Sequence, residues 1–330
     1  MTEHPDRSKS TTEPPRIVTF GETMLRLSSP RGERLETTET IDLSIGGAES
    51  NVALAAQRLG LDATWCSKLP DSPLGRRVCN PLQAQNVSVE IEWDSTRRQG
   101  TYFIEQGGSP RGTNVIYDRE NAAVTSLTPD ELPMERIRDA SAVFTTGITP
   151  ALSETLRETT RSVFEAAREA GTRTVFDVNY RSKLWSKAEA TETIDALLSV
   201  VDVLVVAKRD AEAILGQTGS SGTIATTLRE EYAPSLVVVT DGERGAVAGH
   251  RDGVTERSAI DAETCDPIGS GDAFVGGFLA WYLRDAPIGD ALSAGAAAAS
   301  LKRTLDGDLA IIDRDEVRQA MRGGADGIDR

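Results

Sequence analysis

Apolar residues occur in two kinds of stretch along this chain. The first is short and continuous: residues 17–20 (IVTF), 142–148 (AVFTTGI), 174–180 (TVFDVNY), 201–207 (VDVLVVA) and 235–242 (SLVVVTDG). Their length and β-branched content fit strands buried on both faces. From residue 142 onward they alternate with helical patterns at 152–171, near 191–198 and near 210–215. In the first of these Leu152, Leu156, Val163, Phe164 and Ala167 keep helical spacing, and Gly171 ends it. Such alternation predicts an α/β fold with a mainly parallel sheet covered on both faces, and ligands at the carboxyl ends of its strands. The polar residues expected there are Asp177, Asn179, Tyr180 and Arg181, then Lys208 to Asp210, then Thr240 to Gly242.

The second kind alternates with polar residues. It covers 24–45 (LRLSS, TIDLSI) and 87–116 (VEIEW, GTYFIEQGG, TNVIY) and predicts exposed antiparallel strands, half buried at best. Together these form a small sheet that could close over a pocket as a lid. The expected organisation is a polar, disordered tail over 1–15 and one catalytic domain over 16–330, with lid strands in about 24–45 and 87–118. No apolar run approaches 18 residues and the tail has no hydrophobic leader, so a cytoplasmic protein is expected.

Two helices begin at glycines. Gly46 and Gly47 precede AESN and the helical run VALAAQRLGL, for which Gly60 is the predicted stop. In DPIGSGDAFVGGF, residues 266–278, Gly269, Ser270 and Gly271 open a second, apolar helix with Asp272 in its first turn. Small residues there let backbone amides and the helix dipole gather round an anion. Asp272 could then reach a hydroxyl about to receive that anion and accept its proton, with an ordinary low carboxylate pKa. A further run of small residues, 292–301 (LSAGAAAASL), offers a flat wall for an adenine ring or simply tight helix packing.

Charge narrows the partners. Asp plus Glu is 51 against 36 Lys plus Arg, a net charge of −15, and only six of the 36 basic residues are Lys. An acidic, lysine-poor surface fits a protein kept soluble in concentrated salt, and argues against nucleic acid or an anionic membrane as partner. Three cysteines without a CxxC pair, and His4 and His250 as the only histidines, exclude a zinc site and a His-based triad. There is no GxxxxGK[ST], and Phe274 takes the place of the third glycine of GxGxxG, so neither a P-loop nor a dinucleotide fingerprint is present. What remains is an anion hole with its Asp, the equipment for phosphoryl transfer.

DPIGSGDAF, together with GGAESNVALAAQRLG and the lid-like alternation, resembles the ribokinase or PfkB family of carbohydrate kinases over about residues 16–320. Within it SPRGTNVIYDRENAA, TTGITPALS and FDVNYRSKLWS are similar to 2-keto-3-deoxygluconate kinases. The resemblance implies a ribokinase-like three-layer α/β/α sandwich with a β lid. It implies ATP with Mg²⁺, K⁺ as a candidate activator, and transfer of phosphate to the terminal hydroxyl of a 2-keto-3-deoxy sugar acid, namely 2-keto-3-deoxygluconate in an Entner–Doudoroff type of route. Homo-oligomers formed through the lid are implied as well.

By the same resemblance Asp272 is the base and Gly269 to Gly271 the anion hole. Gly47, Asn51, Tyr102, Tyr117, Arg119, Arg181 and Asp306 meet the substrate. Asn179, Arg181, Lys208, Asp210, Thr240, Gly242, Gly245, Gly269 and Gly271 border the nucleotide. The chain departs from the family where Ala207 and Asp210 replace an NxxE pattern tied to Mg²⁺. The competing expectations are a kinase of a neutral sugar such as fructose or ribose, and a non-catalytic sugar-acid sensor. A planar guanidinium suits a carboxylate, which favours the acid reading on Arg119 and Arg181.

Overall fold

The computed structural model describes residues 13–107 and 110–323, so most of the expected tail lies outside the described residues. Thirteen strands are present among them: β1 (Arg16–Phe20), β2 (Met24–Ser28), β3 (Asp42–Gly46), β4 (Asp62–Pro70), β5 (Ser88–Asp94), β6 (Thr101–Glu105), β7 (Asn114–Asp118), β8 (Ala142–Thr146), β9 (Arg173–Asp177), β10 (Val203–Ala207), β11 (Leu236–Thr240), β12 (Ala246–His250) and β13 (Gly253–Arg257). Nine of them form one sheet in the order β13-β12-β11-β10-β9-β8-β1-β4-β5. All neighbours from β11 to β5 pair in parallel, and β12 and β13 add an antiparallel edge.

The continuous apolar runs are the reason for the layers. Successive side chains of a strand point to opposite faces. Ile17, Val203 and Val205 therefore join one core with the helices Ala48–Arg58, Ser270–Tyr282 and Ile288–Arg303. Val18, Phe20, Leu204 and Val206 join another with Glu154–Glu169, Lys187–Leu198 and Ser221–Tyr232. Helices on both faces of a mainly parallel sheet are the expected sandwich.

Three features differ from the sequence pattern. VEIEW does not belong to the lid: β5 pairs in parallel with β4 at the edge of the large sheet. Its alternation reflects an edge position, with only one face covered, which is the pattern a lid strand also shows. Residues 62–86, unassigned by the pattern, form β4 and the Ser72-capped helix Pro73–Gln83. The lid itself is β3-β2-β6-β7, and β2 pairs with β6 in parallel rather than antiparallel. Nor is β2 half exposed, since Met24, Leu25 and Arg26 are all buried.

Candidate active site

The carboxyl ends of the parallel strands, the first turns of two helices and the inner face of the lid enclose a cavity of about 650 Å³. That volume suits a small molecule. Asp272 stands in the first turn of the Ser270–Tyr282 helix, whose start is forced by Gly269 at φ 81°, a left-handed conformation that a side chain would strain. The Ser270 amide donates to the Pro267 carbonyl at 3.3 Å, so it is not free for an anion as expected. The amides of Gly269, Gly271 and Asp272 have no acceptor among the described residues. A Cβ built on Gly271 would meet nothing within 4 Å, so the space in front of this turn is open.

The Asp272 carboxylate accepts from the Asn51 side-chain amide at 2.7 Å. Burial raises its pKa to about 6, although the Asn51 bond and the charges of Arg181 and Lys302 pull it down. The expected ordinary value is thus corrected: the surroundings are too dry for it. Asp177, at the end of β9, is pushed further, to about 8, by burial and then by the charges of Asp272 and Asp210. Burial raises Asp210 as well, and it accepts from the Tyr180 amide at 3.3 Å. Among the described residues no group of three or more His, Cys, Asp or Glu could hold a metal by itself.

The lid supplies the opposite wall. In β6 and β7 Tyr102 and Tyr117 are cross-strand partners, with ring centroids 6.1 Å apart. The Tyr102 hydroxyl donates to Asp308 at 2.9 Å, and Arg26 of β2 pairs with both Asp308 and Asp266. Arg119 lies 5.3 Å from the Tyr117 ring centroid and is paired with buried Glu22. Arg181 is exposed at the cavity and has no ion-pair partner within 4 Å among the described residues.

Most residues singled out in the sequence line this cavity: Gly47, Asn51, Tyr102, Tyr117, Arg119, Asn179, Arg181, Lys208, Asp210, Thr240, Gly242, Gly269, Ser270, Gly271 and Asp272. Two do not. Asp306 points away, its side chain 77% exposed and paired with Arg31, while Asp308 takes the place proposed for it. The DGD spacing of 306–308 offers two carboxylates, and only packing against Tyr102 and Arg26 chooses between them. Gly245 lies outside the lining, where a Cβ would collide with the Arg257 carbonyl. Glu22, Glu49 and Asp308 are lining residues the sequence reading missed; a Glu inside an alanine-rich helical run was the one available signal, at Glu49.

The family model described as pfkB family carbohydrate kinase matches residues 14–313. The chain belongs to this family. A 2-dehydro-3-deoxygalactonokinase of Haloferax volcanii is 54% identical over 314 residues, covering 95% of this chain and 99% of that protein. A 2-dehydro-3-deoxygluconokinase of Bacillus subtilis is 30% identical over 88% of this chain and 90% of its own length. The crystal structure of a 2-dehydro-3-deoxygluconokinase from Thermotoga maritima superposes with a TM-score of 0.89 at 31% identity, over 94% of this chain and 99% of that one. This PfkB-family chain therefore has the ribokinase-like fold and is a phosphotransferase with an alcohol acceptor. No helix among the described residues is long and apolar enough to cross a membrane.

Proposed function

We propose that this PfkB-family protein transfers the γ-phosphoryl group of ATP to the terminal hydroxyl of a 2-dehydro-3-deoxy sugar acid, with the galactonate-derived epimer preferred. One observation carries the reading: Asp272, the unbonded amides of its helix turn and the unpaired Arg181 face one cavity. Asp272 takes the hydroxyl proton, and a carboxylate raised to about 6 is a better base than an ordinary one while remaining mostly ionised at neutral pH. The amides of Gly271 and Asp272 receive the negative charge that spreads over the transferring group. Arg181 supplies the cation for an acid substrate in a chain of net charge −15. The inner tyrosines of the lid, Tyr102 and Tyr117, exclude water over the sugar, and Asp308 accepts from one of its hydroxyls.

The residues fit ATP with Mg²⁺. Asn179, Lys208, Asp210, Thr240 and Gly242 line the strand ends of the same cavity, beside the anion turn. A metal there would complete its coordination on phosphate oxygens and water, as Mg²⁺ does, and bound Mg²⁺ supplies charge to the phosphates. Support for the galactonate epimer over the gluconate one comes from the name of the 54% identical relative. With ATP as donor, and as one step in the breakdown of sugar acids by the Entner–Doudoroff type of route, the reading assigns the enzyme to the cytoplasm.

The test is an ATP-consumption assay with both epimeric acids, their neutral analogues, fructose and ribose, from low to molar KCl. Turnover of the acids, retained in molar KCl and reduced about 10²-fold or more in Asp272→Asn, is expected. Equal turnover of a neutral sugar would replace the acid reading; binding without turnover would make the protein a sensor.

A further inference from the structure

Six of the 36 basic residues are lysines, and Lys302 alone among those described is fully buried, at 0% exposure. It stands next to the last residue of the Ile288–Arg303 helix. Its Nζ donates to the carbonyl oxygens of Asp266 at 3.0 Å and Leu305 at 3.2 Å. Those carbonyls belong to two loops that run together. One, 265–269, leads into the turn that holds Gly271 and Asp272; the other, 304–308, carries Asp308.

The two loops have little freedom to shift separately. The Cys265 and Asp266 amides donate to the Arg303 carbonyl at 2.7 and 3.2 Å. Gly269 lies so close that a Cβ there would stand 2.2 Å from the Asp308 carbonyl oxygen. Asp266 Oδ1 accepts from the Ile268 amide at 3.0 Å and its Oδ2 from Arg26 at 2.7 Å, so the loop is also tied to the lid. A compact ammonium with three donors can reach converging carbonyls that a planar guanidinium cannot enter in the same way.

We propose that Lys302 is a positioning residue for phosphoryl transfer: its ammonium clamps the two loops by their carbonyls and holds the anion turn in register. The proposal rests on the kinase reading above. The charges facing Lys302 are Asp266, Asp308, Arg26 and, at the surface, Asp306. Those facing Asp272 are Arg181, Lys302, Asp308 and Asp177, with the Asn51 amide as hydrogen-bond donor. Loss of the lysine leaves Asp266 and Asp308 with Arg26 alone, and takes one of two cations from Asp272.

The experiment compares wild type, Lys302→Met and Lys302→Ala in the ATP-consumption assay across pH, at constant ionic strength. Lys302→Ala is also titrated with methylammonium, which carries donors, and with tetramethylammonium, which has none. Expected are a fall in kcat of about 10-fold or more with sugar-acid KM little changed. The acidic limb should move to higher pH by on the order of half a unit. Methylammonium alone should restore the alanine variant. If a variant is insoluble, it is refolded in methylammonium and assayed as the amine is diluted out; a rate that follows amine concentration supports the proposal and one indifferent to it overturns it. An unaltered rate and limb in Lys302→Met, or a loss with the limb unmoved and no amine response, also overturns it. Wild type decides separately: if it turns over no acid, the kinase reading itself falls.

Discussion

The side-chain amide of Asn51, in the Ala48–Arg58 helix, donates to the carboxylate of Asp272, 221 residues further on, at 2.7 Å. The bond favours the charged form of Asp272 against the burial that raises its pKa to about 6. In Asn51→Leu that support is lost, so the pKa rises further. The base must be ionised, so activity disappears as pH falls through that value, and the variant should lose it at a higher pH than wild type. We expect kcat/KM to be depressed at pH 7 and largely recovered near pH 8.5. Overlapping pH profiles of the two proteins would show that Asp272 is not the titrating base.

Arg119 and Arg181 should differ in kind. Arg119 is buried against Glu22, whose pKa burial raises even in the presence of the guanidinium. Arg119→Ala strands that carboxyl, and breaking a buried pair costs about 3–5 kcal/mol. Arg181 has no such partner among the described residues, so Arg181→Ala should leave the melting temperature unchanged and raise KM for the acid about 10-fold or more. A melting temperature lowered equally in both variants would contradict this division.

How far the site could be read in advance follows from the range of the interactions that build it. Asp272 and its glycines are a local signal: turn, helix start and charge lie within four residues, and the sequence displays them together. Five strands of the large sheet, β1 and β8 to β11, were equally legible, because a strand buried on both faces is apolar whatever its neighbours are; β4 lies inside the same sheet but breaks its apolar run with Thr64, Ser67 and Lys68. The alternation in β5 carries no information about which sheet it joins, and the choice of Asp308 over Asp306 depends on Arg26 and Tyr102, more than 200 residues away. Glu49 was hidden for the same reason, since its partners lie on β8 and the turn after it.

Those partners make Glu49 a probe of stability against pH. Its Oε1 accepts from Thr146 Oγ1 at 2.7 Å, Thr149 Oγ1 at 2.9 Å and the Thr146 amide at 3.1 Å, while Oε2 is buried without a partner. Burial raises its pKa from 4.5 to about 7, with the threonine hydrogen bonds opposing. The folded protein therefore holds this proton more tightly than the unfolded chain. The associated stability is full below pH 4.5 and is lost as pH rises through about 7. Glu49→Gln keeps the accepting oxygen and cannot ionise. The melting temperature of the variant relative to wild type should rise between pH 5 and pH 8, by an amount corresponding to a few kcal/mol at most. A constant difference across that range would place the Glu49 pKa near its ordinary value.

The outer face of the lid gives a prediction about assembly. Strand register sets Leu43 beside Leu27, Leu27 beside Phe103 and Phe103 beside Ile116, an apolar row across all four strands. Leu43 and Ile116 are 41% and 49% exposed. An apolar row of this kind on a sheet face is a surface for association, and a second copy of the lid is the occupant we expect. Sedimentation of wild type should give a dimer or larger at micromolar concentration, and Leu43→Glu with Ile116→Glu should give a monomer. A monomeric wild type would overturn the lid-mediated assembly that the family resemblance implies.

Gly271 separates catalysis from stability most cleanly. It occupies the second position of the Ser270–Tyr282 helix with no positive φ, so alanine is sterically allowed there. A Cβ would meet no atom within 4 Å. Glycine costs a helix roughly 0.5–1 kcal/mol relative to alanine, so Gly271→Ala should leave stability equal or slightly higher. The new methyl, however, enters open space beside a residue that lines the cavity, next to the amides that the reading above gives to the migrating phosphate. Removing one preorganised donor from a developing oxyanion costs about 10²–10³-fold in kcat elsewhere, and blocking the approach to two should cost at least the lower figure. The melting curve and the turnover rate of this one variant thus move in opposite directions if the turn holds phosphate. Should both stay at their wild-type values, the phosphate is bound elsewhere in the cavity, and Asp272 would have to act on a hydroxyl presented to a different donor.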